Sequence, residues 1–164
     1  MRSLLIALAA LTAAAASGPL VVKQIDTAGY AALVGDRQGR PLVVNMWATW
    51  CDPCREEFPE LVSFHEAMAP RGVDVTAVSL DMADVRETAV IPFLRAQKVV
   101  FPTYMKTAGG DEEFINGVDP GWSGALPATF IYDGQGRLKH RILGATTAET
   151  LTKAVAPLLK GAPD

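Results

Sequence analysis

Two cysteines stand two residues apart in Trp50-Cys51-Asp52-Pro53-Cys54, and they are the only cysteines among 164 residues. A thiol pair at this spacing can close a disulfide, supply two soft ligands to a metal, or cycle between dithiol and disulfide. The flanking residues favour the last. "VVNMWA" before the pair is an apolar run of strand type, and "REEFPELVSFHEAM" after it has helical spacing, so both sulfurs fall at a helix start. The first amides of a helix have no intrahelical acceptors, and together with the macrodipole they stabilise an anion there. A thiolate is such an anion, and C-x-x-C thiols so placed ionise below the free value of about 8.5. Cys51, the more N-terminal and exposed, is the candidate nucleophile, and Cys54, one turn on, the candidate resolving thiol. Pro53 suits a first turn, where its missing N–H has no intrahelical partner to lose. Asp52 acts in the opposite sense, since an anion beside Cys51 raises the thiol pKa.

The other readings of the pair are weaker on chemical grounds. A purely structural clip across so small a loop removes little chain entropy. A structural zinc site wants four ligands, and the chain adds only His65 and His140, neither at finger spacing. Covalent haem needs C-x-x-C-H, and Arg55 occupies the histidine position. No metal and no cofactor beyond the cysteine pair is expected.

The surrounding elements must hold the pair in place. "PLVVKQID" from Pro19 is a short strand, and "TAGYAALVGDRQG" a short helix stopped by Gly39. "PLVVNMWA" reads as a buried strand, with Val43, Asn45 and Trp47 on one face and Val44, Met46 and Ala48 on the other. The helix from about Cys51 to Ala69 sets Leu61, Phe64, His65 and Met68 on one stripe, so His65 reads as a core residue; Pro59 removes one backbone bond and bends it. "VDVTAVSLD" is a β-branched strand. Asp84 to Lys98 is helical with a break at Pro92, and "VVFPTYMK" is a short strand. Thr107 to Ala125 is loop with one helical turn around Glu112 to Asn116. "ATFIYD", a turn at "GQG" and "RLKHRILG" form a hairpin, which puts His140 on the surface. The closing helix, Thr147 to Leu159, has a T-x-x-E capping box from Thr146 to Glu149. The order βαβαβαβ with a late hairpin predicts an α/β fold: a central mixed sheet with helices on both faces.

Length and a composition of 49% hydrophobic and 20% charged residues fit one domain. Residues 1–17 do not belong to it. One cation at Arg2, an apolar stretch from Leu4 to Ala16 and an A-x-A-type cut at Ala14-Ala15-Ala16 predict a secretory signal, leaving 18–164 as the domain. That stretch falls short of the roughly 18 to 20 residues of a membrane span, although a retained membrane anchor is the alternative. Export to an oxidising compartment makes the redox state of the pair the central question. A net charge of −3 without a basic run argues against a nucleic-acid partner.

"WCDPC" after "VVNMWAT" and before "REEFPEL", with "LPATFIYDGQG" some seventy residues later, resembles the thioredoxin superfamily, and within it the exported TlpA/ResA-like thiol-disulfide oxidoreductases. The resemblance runs from about residue 20 to 160. It implies a thioredoxin-like fold, Cys51 attack on a substrate disulfide, resolution by Cys54, and a redox-active Cys51–Cys54 disulfide as the only redox group. It implies further that Pro127 is cis and turns the Leu126 backbone toward Cys51, ready to pair with an extended substrate segment. Asn45 stands where cytosolic thioredoxins carry a buried aspartate, and Glu57 matches a glutamate frequent in the TlpA/ResA-like group. Spaced i and i+3 on one helix face, Glu57 is placed to take the Cys54 proton directly or through one water; the competing reading is a solvated carboxylate favoured by the helix dipole. Trp50 and Pro53 border the thiols, Trp47 packs beneath them, and Trp122 either lines the docking groove or caps the core. The implied role is a periplasmic monomer, reduced by a membrane thiol donor, acting on exported clients such as cytochrome c or copper-site thiols. The rivals are a Cu(I) metallochaperone on the same fold, for which the wider cysteine spacing and added histidine are missing, and a peptide-binding module with an idle disulfide. A peroxidase does not fit, because no single cysteine sits in a threonine-bearing loop.

Overall fold

The computed structural model describes residues 20–107 and 109–159. The expected signal segment lies outside these residues. Among the described residues six strands form one sheet: β1 (Val22–Ile25), β2 (Leu42–Trp47), β3 (Asp74–Ser79), β4 (Thr103–Lys106), β5 (Ala128–Tyr132) and β6 (Leu138–Leu143). Their order is β1-β4-β3-β2-β5-β6. The first four run parallel, while β5 and β6 are antiparallel to their neighbours, so the sheet is mixed as expected. Every residue of β2 is buried, because both faces of this central strand are covered.

Among the described residues five α-helices supply the cover: α1 (Thr27–Gly35), α2 (Asp52–Met68), α3 (Ile91–Ala96), α4 (Asp111–Val118) and α5 (Ala148–Val155). Period-two alternation along β2 divides the core. Val43 and Trp47 join Phe58, Leu61 and Phe64 of α2, Leu94 of α3, and Leu151 and Val155 of α5. Leu42, Val44 and Met46 join Tyr30 of α1, Phe114 and Val118 of α4, and Trp122. Ala48, past the end of β2, falls on the Trp47 side rather than with Met46, because the strand alternation has already ended.

Three further details differ from expectation. The stretch 107–125 is not loop with a single turn: α4 runs through eight residues of it, anchored by Phe114 and Val118 at i and i+4. The helix expected over 84–98 is divided into a 3₁₀ turn at Ala83–Val85, a π-type turn at Arg86–Val90 and α3. Pro92 has no N–H for the Thr88 carbonyl and its ring crowds that group, so the preceding turn widens. Finally, α5 is capped by Thr147, whose hydroxyl accepts from the Thr150 amide, and not by Thr146. The Thr146 amide is directed to another acceptor at the candidate site.

Candidate redox site

β2 delivers the chain to the C-terminal edge of the sheet, where ligand sites of open α/β sheets gather. Cys51 is the N-cap residue of α2, and its side chain makes no capping hydrogen bond to the first-turn amides. Its sulfur is joined to that of Cys54 in a disulfide. Cys51 retains 7% exposure and Cys54 none, so any partner reaches Cys51 first. Pro53 lies exposed in the first turn. Asp52 and Arg55 approach to 3.6 Å, and the Arg55 guanidinium also lies 5.8 Å from the Phe93 ring, so the anion between the cysteines has a cation beside it. Both ends of this pair are open to water, which makes the compensation small.

Below the pair, Trp47 is fully buried, with ring centroids 4.6 Å from Phe58 and 5.1 Å from Phe93. Trp50, in contrast, is 68% exposed. The loop carrying it is held by a buried carboxylate. Asp81 accepts from the Thr49 amide at 2.9 Å, the Thr49 hydroxyl at 2.6 Å and the Ser79 hydroxyl at 2.7 Å. The spacing of Thr49, Ser79 and Asp81 along the sequence carries no signal of this cluster.

Glu57 is buried, which rules out the solvated carboxylate. Its Oε1 accepts from Asn45 Nδ2 at 2.7 Å and its Oε2 from the Thr146 amide at 2.9 Å. Asn45 Nδ2 also donates to Thr129 Oγ1 at 3.1 Å. Burial pushes the Glu57 carboxyl above its ordinary pKa, and the Thr146 and Asn45 bonds pull it back in part. Thus the two positions that separate relatives, 45 and 57, are in direct contact. Asn45 Oδ1 and Thr146 Oγ1 are buried without a partner among the described residues. A second carboxylate of α2, Glu60, accepts from the Ala148 amide at 2.9 Å, so the start of α5 is tied to α2 at two points.

The Leu126–Pro127 peptide is cis. Leu126 and Trp50 share the lining of a cavity of about 180 Å³. Trp122 is not with them: it is 2% exposed, its ring meets Phe130 at 5.3 Å, and Nε1 donates to the Ala125 carbonyl at 2.9 Å. Of its two expected positions it takes the one in the core. His65 packs half-buried against Phe101, and burial lowers its pKa. His140 is exposed on β6. Among the described residues, no group of three or more His, Cys, Asp or Glu is placed to hold a metal, and no helix is long and apolar enough to cross a membrane.

A mixed sheet of this order, helices on both faces and a C-x-x-C disulfide opening α2 define a thioredoxin-fold protein of the dithiol/disulfide class. Residues 20–141 match the AhpC/TSA family, and the chain belongs to it. The chain is 29% identical to the thiol-disulfide oxidoreductase ResA of Bacillus subtilis over 122 residues, 74% of this chain and 63% of that protein. It is 33% identical to the thiol:disulfide interchange protein HelX of Rhodobacter capsulatus over 133 residues, 78% of this chain and 66% of that one. The chain thus spans under two thirds of the length of these curated relatives. A thioredoxin-related protein from Neisseria meningitidis serogroup B, of known crystal structure, is 30% identical with a TM-score of 0.60, covering 71% of this chain and 83% of that one.

Proposed function

We propose that the protein is a thiol-disulfide oxidoreductase that reduces disulfides of exported client proteins. The observation that supports this most is the order along the first turn of α2: an outer sulfur at Cys51, a buried sulfur at Cys54, and the buried Glu57 carboxylate three residues on. In the reduced protein the Cys51 thiolate attacks one sulfur of a client disulfide, and the other client sulfur leaves as a thiolate that is protonated by solvent. Cys54 then gives its proton to Glu57, directly or through one water, and attacks Cys51 Sγ. The bond from Cys51 to the client breaks, the second client sulfur leaves and takes up a proton, and the Cys51–Cys54 disulfide forms. Two electrons have passed from the pair to the client, and a membrane dithiol donor returns them. A carboxyl held above its ordinary pKa is a better proton acceptor than an unshifted one.

Trp50, Pro53 and the Leu126 backbone receive the client segment, and Trp122 braces the loop before Pro127 from the core side. The N-terminal signal places the mature domain, a monomer, in the periplasm or outside the cell. Its clients there are apocytochrome c thiols awaiting haem or the cysteines of a copper site. The test is Cys54→Ala purified from the exported fraction: client-specific adducts through Cys51, released by reductant, are the expected result. A chain without adducts that binds Cu(I) tightly would overturn the reading in favour of a metallochaperone. A reduction potential near thioredoxin's, about −270 mV, is expected for this direction of electron flow; one near about −120 mV would reverse it.

A further inference from the structure

The cavity beside Trp50 is lined by Trp50, Leu80, Lys106, Asp111, Ile115, Gly124 and Leu126. At about 180 Å³ it is smaller than the roughly 300 to 1,000 Å³ of pockets for whole small ligands, and its size suits one long side chain. Four apolar side chains form its walls. Ile115 closes it because Gly124 leaves room: at Gly124, with φ +84°, an added Cβ would lie 2.7 Å from Ile115 Cδ1.

The polar end is unbalanced in what it can still bind. Lys106 is buried, and its three N–H bonds go to the Thr107 carbonyl at 2.8 Å, the Gly109 carbonyl at 3.0 Å and Asp111 Oδ1 at 2.6 Å. An ammonium has three donors, so nothing remains for an anion. Asp111 is 77% exposed and uses Oδ1 alone on Lys106, which leaves Oδ2 to solvent. Asp111 and Ile115 are also i and i+4 on α4, so the carboxylate and an apolar wall share one helix face. A side chain that fits has an apolar stem and a cationic tip.

We propose that this cavity receives a lysine or arginine side chain of the client, within two residues of the cysteine under attack. Its stem lies between Trp50, Leu80, Ile115 and Leu126, and its tip meets Asp111. The exposed Trp50 ring adds a face on which such a cation is attracted. This inference rests on the oxidoreductase reading and assigns that site its client preference.

The experiment uses the reduced full-length protein and two kinds of probe. Hydroxyethyl disulfide has no side chain to dock. Short peptides with one cysteine, held as a mixed disulfide with nitrothiobenzoate, carry lysine, arginine, leucine or glutamate at each of the two positions on either side. At low salt the best lysine or arginine peptide is expected to react about five-fold faster than its glutamate counterpart, and high salt narrows the ratio. In Asp111→Lys the ratio inverts, and in Asp111→Asn it falls to near one. Because each ratio is taken within one variant, a loss of stability does not mimic the result. Equal rates for basic and acidic peptides, with hydroxyethyl disulfide reduced, would overturn the docking assignment alone. A basic preference that survives Asp111→Lys would do the same. Failure to reduce either probe would overturn the oxidoreductase reading and this inference with it.

Discussion

Glu57 stands under opposed influences that can be separated by pH. Burial favours its neutral form, whereas the Thr146 amide and Asn45 Nδ2 favour its charged form, and the net shift is upward. A carboxyl whose folded pKa exceeds its unfolded value stabilises the fold while protonated; this contribution is lost as pH rises from the ordinary carboxylate range through the raised value. In the oxidised protein, where neither cysteine titrates, the stability of wild type relative to Glu57→Gln is therefore expected to fall in urea unfolding as pH rises from the ordinary carboxylate range through the raised folded value. A flat difference would mean that Glu57 titrates alike in both states. Asn45 matters for the same reason. Its amide can donate to a carboxylate, and after a flip its unpartnered Oδ1 can accept from a protonated carboxyl, so it serves both states of Glu57. Asn45→Asp sets a second carboxylate against Oε1 and is expected to cost about 2 to 4 kcal/mol at neutral pH, recovering in acid. The resemblance to the thioredoxin superfamily made each residue legible as a marker, Asn45 at the place of a buried aspartate and Glu57 three residues after Cys54. Their contact was not legible, because it joins residues twelve apart on two elements whose relative height depends on packing. Thr146 was misread for a local reason: two adjacent threonines both suit a cap, and only the fold decides that the first sends its amide to Glu57.

Among the elements, α4 shows where local patterns stop being informative. Its sequence "DEEFINGV" holds one buried pair, Phe114 and Val118, together with Asn116 and Gly117, which read as breakers. The acidic first turn, Asp111 to Glu113, was the signal available for a helix start. Gly117 is there for packing. A Cβ at this position would lie 2.3 Å from Thr27 Cγ2 at the start of α1, so the two helices touch through a glycine. In an exposed helix Gly→Ala gains up to about 1 kcal/mol. Here Gly117→Ala is expected to destabilise by about 1 to 3 kcal/mol, because the methyl forces α4 away from α1. Thr27→Ser removes the clashing methyl, so the double variant should regain the loss and exceed Thr27→Ser alone by thermal unfolding. If Gly117→Ala is as stable as wild type, the close approach is not tight enough to matter. The same displacement would shift Ile115 and Asp111, so the basic-peptide preference provides a second readout of α4 position.

At the scale of the whole molecule, the strand-helix alternation made the mixed sheet and its two-sided cover legible, since βαβ units leave few ways to bury β2 on both faces. Which strand lies at which edge was not legible, because β1 pairs with β4 across some eighty residues and no local pattern encodes that partner. This pairing bears on where the domain begins. β1 covers one edge of β4, Val22 is buried in the core beside α2, and Ile25 in the core beside α1. Two further bonds depend on it: Arg86 Nη2 donates to the Val22 carbonyl at 2.6 Å, and the Thr107 amide to the Ile25 carbonyl at 3.0 Å. A start at residue 18 keeps all of β1 and Leu20, which packs against the core beside α2. A chain of residues 18–164 is therefore expected to unfold at the same temperature as the full sequence and to reduce hydroxyethyl disulfide at the same rate. A chain starting at Thr27 removes β1, uncovers the backbone of β4 and loses two buried side chains, at about 1.5 to 3 kcal/mol each. It should be less stable by about 3 to 6 kcal/mol, a large part of what a domain of this size has. If residues 18–164 fail to fold while the full chain folds, the segment before β1 belongs to the domain and is not a removable signal. If the Thr27 start is as stable as the 18–164 chain, β1 is an edge that contributes no measurable stability.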